Sequence, residues 1–116
     1  MREAARVLAP DGRYCIAIVH PLNTAGSFVS REPEAQFVIE SSYFEHREKE
    51  MTVEREGLAM TFLDAHRPLE DYFRTLEEAG LAVERLREIP DTSEAEGGER
   101  WRRIPLSSTS ARLTPV

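Results

Sequence analysis

The sequence predicts an α/β fold, and three stretches carry the prediction. Residues 5–21 join the end of a helix to a strand of six uncharged residues, Tyr14-Cys15-Ile16-Ala17-Ile18-Val19. Residues 68–79 have the spacing of an amphipathic helix, closed by Gly80, and residues 81–89 read as a further strand. A strand without a polar face needs cover on both sides and belongs at the centre of a parallel sheet. Only eight or nine helical residues precede it, so its sheet neighbours are expected to lie outside this stretch of chain.

Taken in order, residues 1–8 read as a helix end, with Ala4, Ala5 and Leu8 at helical spacing. Ala9-Pro10-Asp11-Gly12 is a turn in which Pro10 presets the backbone and Gly12 takes the exit conformation. The strand is expected over about 13–20 and stops at Pro21, which has no N–H to give a ladder. Residues 22–36 read as loop. An apolar patch, Phe37-Val38-Ile39, and the pair Tyr43-Phe44 follow. Residues 48–55 and 58–62 alternate apolar and polar around Glu56-Gly57, the pattern of a hairpin with one apolar face.

Pro68 suits the first position of the following helix, and Glu70 and Asp71 place negative charge at its positive end. Leu69, Tyr72, Phe73, Leu76 and Ala79 form one stripe. Gly80 suits a left-handed end to that helix. Arg85 and Arg87 mark the 81–89 strand as an edge candidate, and residues 90–99 are a polar loop.

At 116 residues the chain is one domain at most. Its net charge of −6 opposes an electrostatic nucleic-acid binder. The group Arg100, Arg102, Arg103 and Arg112 reads as a solvated surface. Cys15 is the only cysteine, which excludes an internal disulfide and reads as a reduced structural thiol inside the strand, consistent with cytoplasm. No stretch has the apolar length of a signal peptide or a membrane span. His20, His46 and His66 have no short ligand spacing, so no metal site is expected. No P-loop or nucleophile-elbow motif is present.

The run Arg6-Val7-Leu8-Ala9-Pro10-Asp11-Gly12-Arg13, followed by the apolar strand and by His20-Pro21, resembles the fifth helix and strand of class I S-adenosylmethionine-dependent methyltransferases. A second match runs from His66-Arg67-Pro68-Leu69-Glu70-Asp71-Tyr72-Phe73 to Ala79-Gly80-Leu81, where that family has its next helix and strand. The two cover most of the chain. They imply the C-terminal portion of a Rossmann-like methyltransferase sheet, with residues 22–66 as an acceptor-side insertion carrying a hairpin lid. The implied cofactor is S-adenosylmethionine, and the implied partner is a small-molecule acceptor, with no nucleic acid or membrane.

The family holds its cofactor with a Gly-rich loop after the first strand and an acidic residue ending the second, and neither occurs in this chain. No cofactor-binding residue is therefore assigned, and the fragment alone is expected to be inactive. In relatives with R-x-P-L, the run matching Arg103-Ile104-Pro105-Leu106 continues as an apolar strand, such as Phe-Leu-His-Leu-Arg-Ala. That strand runs antiparallel between the two before it. Deleting one T from GC-rich codons for those six residues yields Ser-Ser-Thr-Ser-Ala-Arg, the sequence at 107–112. Residues 107–116 are accordingly expected to be a frameshift product, against the alternative of a naturally polar tail.

Candidate site residues follow from the resemblance. His20, at the carboxyl end of the central strand, is the candidate catalytic base; its plain alternative is a strand cap bonded to backbone. His66, Arg67, Tyr43 and Phe62 are candidate acceptor-binding residues. Arg67 would hold a carboxylate, while Tyr43, Phe44, Met60 and Phe62 would line an apolar lid. The plain alternatives are a solvated or ion-paired Arg67 and an ordinary core stripe. A second function class remains: a non-catalytic α+β domain that binds a ligand or self-associates through exposed sheet edges.

Overall fold

The computed structural model describes residues 1–115, with residues 108–115 described by their backbone. Helix α1 (Arg2–Val7) leads through the Ala9–Gly12 turn into strand β1 (Ile16–Val19). Helix α2 (Pro21–Ala25) follows at once, then the short strands β2 (Gly26–Phe28) and β3 (Phe37–Ile39). A long hairpin comes next, β4 (Arg47–Arg55) and β5 (Leu58–His66). Helix α3 (Leu69–Glu78), strand β6 (Leu81–Ile89), a 3₁₀ turn (Glu99–Arg103) and strand β7 (Ser107–Pro115) complete the chain.

The main sheet has the order β1-β7-β6. β7 is antiparallel to both flanking strands, with Val19 opposite Ser107 and Leu81 opposite Pro115. β1 and β6 therefore point the same way without pairing to each other, and no parallel ladder forms among the described residues. The polar tail occupies the middle of the sheet, between two strands of far more apolar sequence. Two separate ribbons stand beside this sheet, β2–β3 and β4–β5.

Helix α3 forms because its apolar stripe has a surface to bury. Leu69, Tyr72, Phe73 and Leu76 meet Ile16, Ile18 and Leu86 along a narrow apolar seam. Leu76 and Leu81 are each 2% exposed, and Met1, Ala5, Leu8, Tyr14, Ile16, Ala79 and Val83 pack around them. The helix ends as its sequence predicts: the Gly80 N–H donates to the Glu77 carbonyl, and Gly80 has a φ of 78°.

Four expectations need correction. β1 is shorter than residues 13–20, and Cys15 lies just before it and is exposed. The strand is covered on one face only: Tyr14, Ile16 and Ile18 are partly buried, whereas Ala17 is exposed and Val19 is 57% exposed. Residues 21–25 are helical rather than loop, because Pro21 starts the turn and the His20 ring accepts the Leu22 N–H at 3.0 Å. Pro68 stands one residue before α3, and the Leu69 N–H is instead capped by the Tyr43 hydroxyl at 3.0 Å.

The β4–β5 hairpin projects from this body. The radius of gyration is 16.7 Å, against about 13 Å for a compact domain of this length. Met51 faces Phe62 and Val53 faces Met60 in register, which puts all four on one face with Leu58. Each is at least 42% exposed, so this apolar face is not buried against the rest of the chain. The expected core role for Met60 and Phe62 therefore does not hold. No helix among the described residues is long and apolar enough to cross a membrane.

Candidate functional site

The carboxyl end of β1 opens into a cleft of about 610 Å³. Val19 and the α2 residues Asn23, Thr24 and Ala25 form one wall. Arg47, Lys49, Met51, Asp64 and His66 from the base of the hairpin form the other. Lys49, Met51 and Asp64 share the hairpin's apolar face, so that face runs directly into the cleft.

Two buried histidines hold α2 in place. His20 is 6% exposed. Its Nδ1 accepts the Leu22 N–H at 3.0 Å, which leaves the proton on Nε2, where it points at Glu88 Oε1 at 3.0 Å. His20 thus fastens the start of α2 to β6, across β7. Its backbone N–H donates to the Leu106 carbonyl at 3.1 Å, and the Asn23 side-chain amide reaches the same carbonyl at 3.4 Å.

His66, 4% exposed, does the same at the other end of α2. Its Nε2 lies 2.7 Å from the Tyr43 carbonyl, which can only accept, so Nε2 carries the proton. Nδ1 then accepts the Thr24 hydroxyl at 2.7 Å. The Thr24 oxygen also lies 3.2 Å from the Pro21 carbonyl; in the neutral ring the shorter contact takes the single proton. Arg47, opposite His66 in register, donates from Nη2 to the Ala25 carbonyl at 3.2 Å, while its Nε is buried with no partner among the described residues.

The sequence-predicted residues therefore separate. His66 and Tyr43 come together, with ring centroids 5.6 Å apart. His20 sits at the far end of the same helix. Arg67 faces another cavity, of about 480 Å³, shared with His46, Asp71, Tyr72 and Arg74 beside α3. There His46 and Arg74 pair with Asp71, and Arg67 makes no ion pair among the described residues. Phe62 lies farther out on the hairpin, opposite Met51. Sequence reasoning missed Thr24, Arg47 and Glu88, since nothing in their local sequence marks contacts 42, 22 and 68 residues away. Among the described residues no three His, Cys, Asp or Glu side chains gather as a metal site.

No family model and no curated protein matches the chain. Its structure is similar to that of a Listeria monocytogenes protein assigned as an S-adenosylmethionine-dependent methyltransferase, with a TM-score of 0.69 and 17% identity. The fold is methyltransferase-like. The match takes in 99% of this chain and 53% of that protein, so the chain spans about half the length of its structural neighbour.

Proposed function

We propose that the chain is the acceptor-side portion of a class I methyltransferase domain that moves a methyl group from S-adenosylmethionine to a small-molecule acceptor. One observation carries this reading: nearly the whole chain superposes on about half of a protein given that assignment. The two sequence resemblances, at residues 3–21 and 66–81, support it independently.

The residues present do not fit the cofactor. Close approach of a nucleoside's polar groups to backbone needs glycine at a strand-to-helix turn. The two such turns here, β1 to α2 and β5 to α3, are built from His20-Pro21 and Arg67-Pro68. In this reading the cofactor-binding strands belong to a segment other than residues 1–116, and no chemical step is assigned to the fragment.

The fragment's contribution is to shape and orient. The cleft offers Thr24, Asn23 and Asp64 as polar contacts and Met51 as the start of an apolar wall that Phe62 and Met60 extend. An acceptor with one apolar flank and one polar edge fits such a lining. Both nitrogens of His20 and of His66 are engaged, which favours a positioning role for each over proton abstraction.

Calorimetry of the 116-residue chain with S-adenosylmethionine tests the division of labour. No binding at micromolar concentration is expected, and micromolar affinity would overturn it. The DNA upstream of Met1 tests the family reading: a reading frame encoding a strand followed by a Gly-rich loop is expected, and unrelated sequence there counts against it.

The alternative, a non-catalytic domain that self-associates, is favoured by the outer edge of β1, which has no strand partner among the described residues. Sedimentation separates the two: a concentration-dependent dimer supports edge pairing, and a monomer removes that support.

A further inference from the structure

We propose that Arg31, Arg100 and Arg103, gathered around Phe28 and Gly97, form a binding site for an oxyanion, the carboxylate or phosphate group of a small molecule. The proposal stands apart from the methyl-transfer reading and requires neither cofactor nor acceptor.

The cluster runs against the chain's overall charge. Acidic residues outnumber Lys and Arg by 21 to 15, and Arg6 and Arg74 each pair with a carboxylate. Arg31, Arg100 and Arg103 do not, among the described residues. Arg31 Nη2 donates to the main-chain carbonyl of Glu96 at 3.2 Å, and Arg103 Nη2 donates to the carbonyl of Ala35. Arg100 Nε and Nη1 are buried and make no hydrogen bond among the described residues.

The aromatic residues explain how the cations are held there. The Arg100 guanidinium carbon is 5.6 Å from the Phe28 ring centroid and 5.8 Å from that of Trp101, and Arg103 is 5.5 Å from Phe28. Phe28 and Trp101 pack edge to face at 4.9 Å. Cation–π contact engages the flat face of a guanidinium and leaves its in-plane N–H groups for hydrogen bonds. Those edges are the donors a carboxylate or phosphate oxygen takes.

They also converge. A Cβ built on Gly97 would stand 3.1 Å from Arg31 Nε and 3.3 Å from both Arg31 Nη2 and Arg100 Nη1. Two cationic groups thus bring nitrogens within contact distance of Gly97, an approach that any side chain at residue 97 would crowd. Gly97 has a φ of 78°, a conformation that glycine adopts without strain. Like charges so placed repel, and buried donors without partners cost free energy; a bound anion relieves both.

The site is tested by NMR titration of the ¹⁵N-labelled chain with inorganic phosphate and, separately, acetate, with ionic strength held constant by chloride. Saturable shifts at the Gly97 and Gly98 amides are expected with at least one anion; which one saturates separates a phosphate site from a carboxylate site. Non-saturating shifts with both overturn the proposal. Arg100→Gln is expected to weaken binding at least tenfold and Arg31→Gln, at an exposed residue, at least fivefold. Arg102→Gln removes the same charge beside the cluster and should change affinity less than twofold. Equal weakening by Arg102→Gln, or unchanged binding in a folded Arg31→Gln protein, would show diffuse charge attraction and sink the idea.

Discussion

The Thr24 hydroxyl lies 2.7 Å from His66 Nδ1, and this bond ties the helix after the first strand to the last residue of the hairpin. With the buried ring's other nitrogen bonded to the Tyr43 carbonyl, the imidazole is fully satisfied. Thr24→Val keeps the shape and deletes the hydroxyl, stranding a buried nitrogen. The expected loss is about 1–3 kcal/mol, read as a lower urea midpoint with unchanged slope. Thr24→Ser, which keeps the hydroxyl, should recover most of it.

The same geometry sets the histidine tautomers. His20 and His66 each accept at Nδ1, so both rings carry their proton on Nε2 in the neutral form. Long-range ¹H–¹⁵N correlation spectra at alkaline pH should show this tautomer for both. His46 points its Nε2 at the Asp71 carboxylate, which can only accept, so its neutral ring should show the same tautomer. Finding Nδ1–H at His20 would break the bond to Leu22 and with it the account of how α2 begins.

A glycine marks where the site resists change. Gly26 opens β2 and lines the cleft, and a Cβ added there would meet the Val38 carbonyl oxygen at 2.0 Å. Backbone cannot yield as a flexible side chain can, so Gly26→Ala should separate β2 from β3. We expect roughly 2 kcal/mol or more of destabilisation, the overpacking range. Gly57→Ala meets no atom within 4 Å and should cost only about 1 kcal/mol for its left-handed backbone. Denaturant titration of the two variants side by side checks the contrast.

Periodicity made some of this legible and distance hid the rest. The stripe from Leu69 to Ala79 identifies α3 and its buried face because the information is local, repeating every three or four residues. The Glu56-Gly57 hairpin was readable for the same reason. The α2 helix was not, since its cap is an imidazole rather than the usual Ser, Thr, Asp or Asn, and its length is barely one turn. Nor did the apolar run of β1 reveal that its outward face, with Ala17 and Val19, stays exposed. Alternation reports which residues want cover, not whether this chain supplies it. The site's clamps, Thr24–His66 and His20–Glu88, are long-range contacts that only the packed fold creates.

The sharpest remaining question concerns Ser107-Ser108-Thr109-Ser110, which the fold places opposite Val19, Ile18, Ala17 and Ile16. A strand flanked on both sides favours β-branched and aromatic residues, and serine is a weak choice there. If the tail arose from a one-base deletion, the other reading frame should encode an apolar run in the same register. Replacing residues 107–112 with Phe-Leu-His-Leu-Arg-Ala should then raise the melting temperature. A gain of about 1–2 kcal/mol corresponds to roughly 4–8 °C for a domain of this size. Truncation after Leu106 removes the strand altogether and should abolish cooperative unfolding, because β7 supplies the ladder hydrogen bonds of both β1 and β6 among the described residues. A replacement that lowers the melting temperature, or a truncated chain that still unfolds cooperatively, would show that the polar strand is no defect and that the sheet does not depend on it.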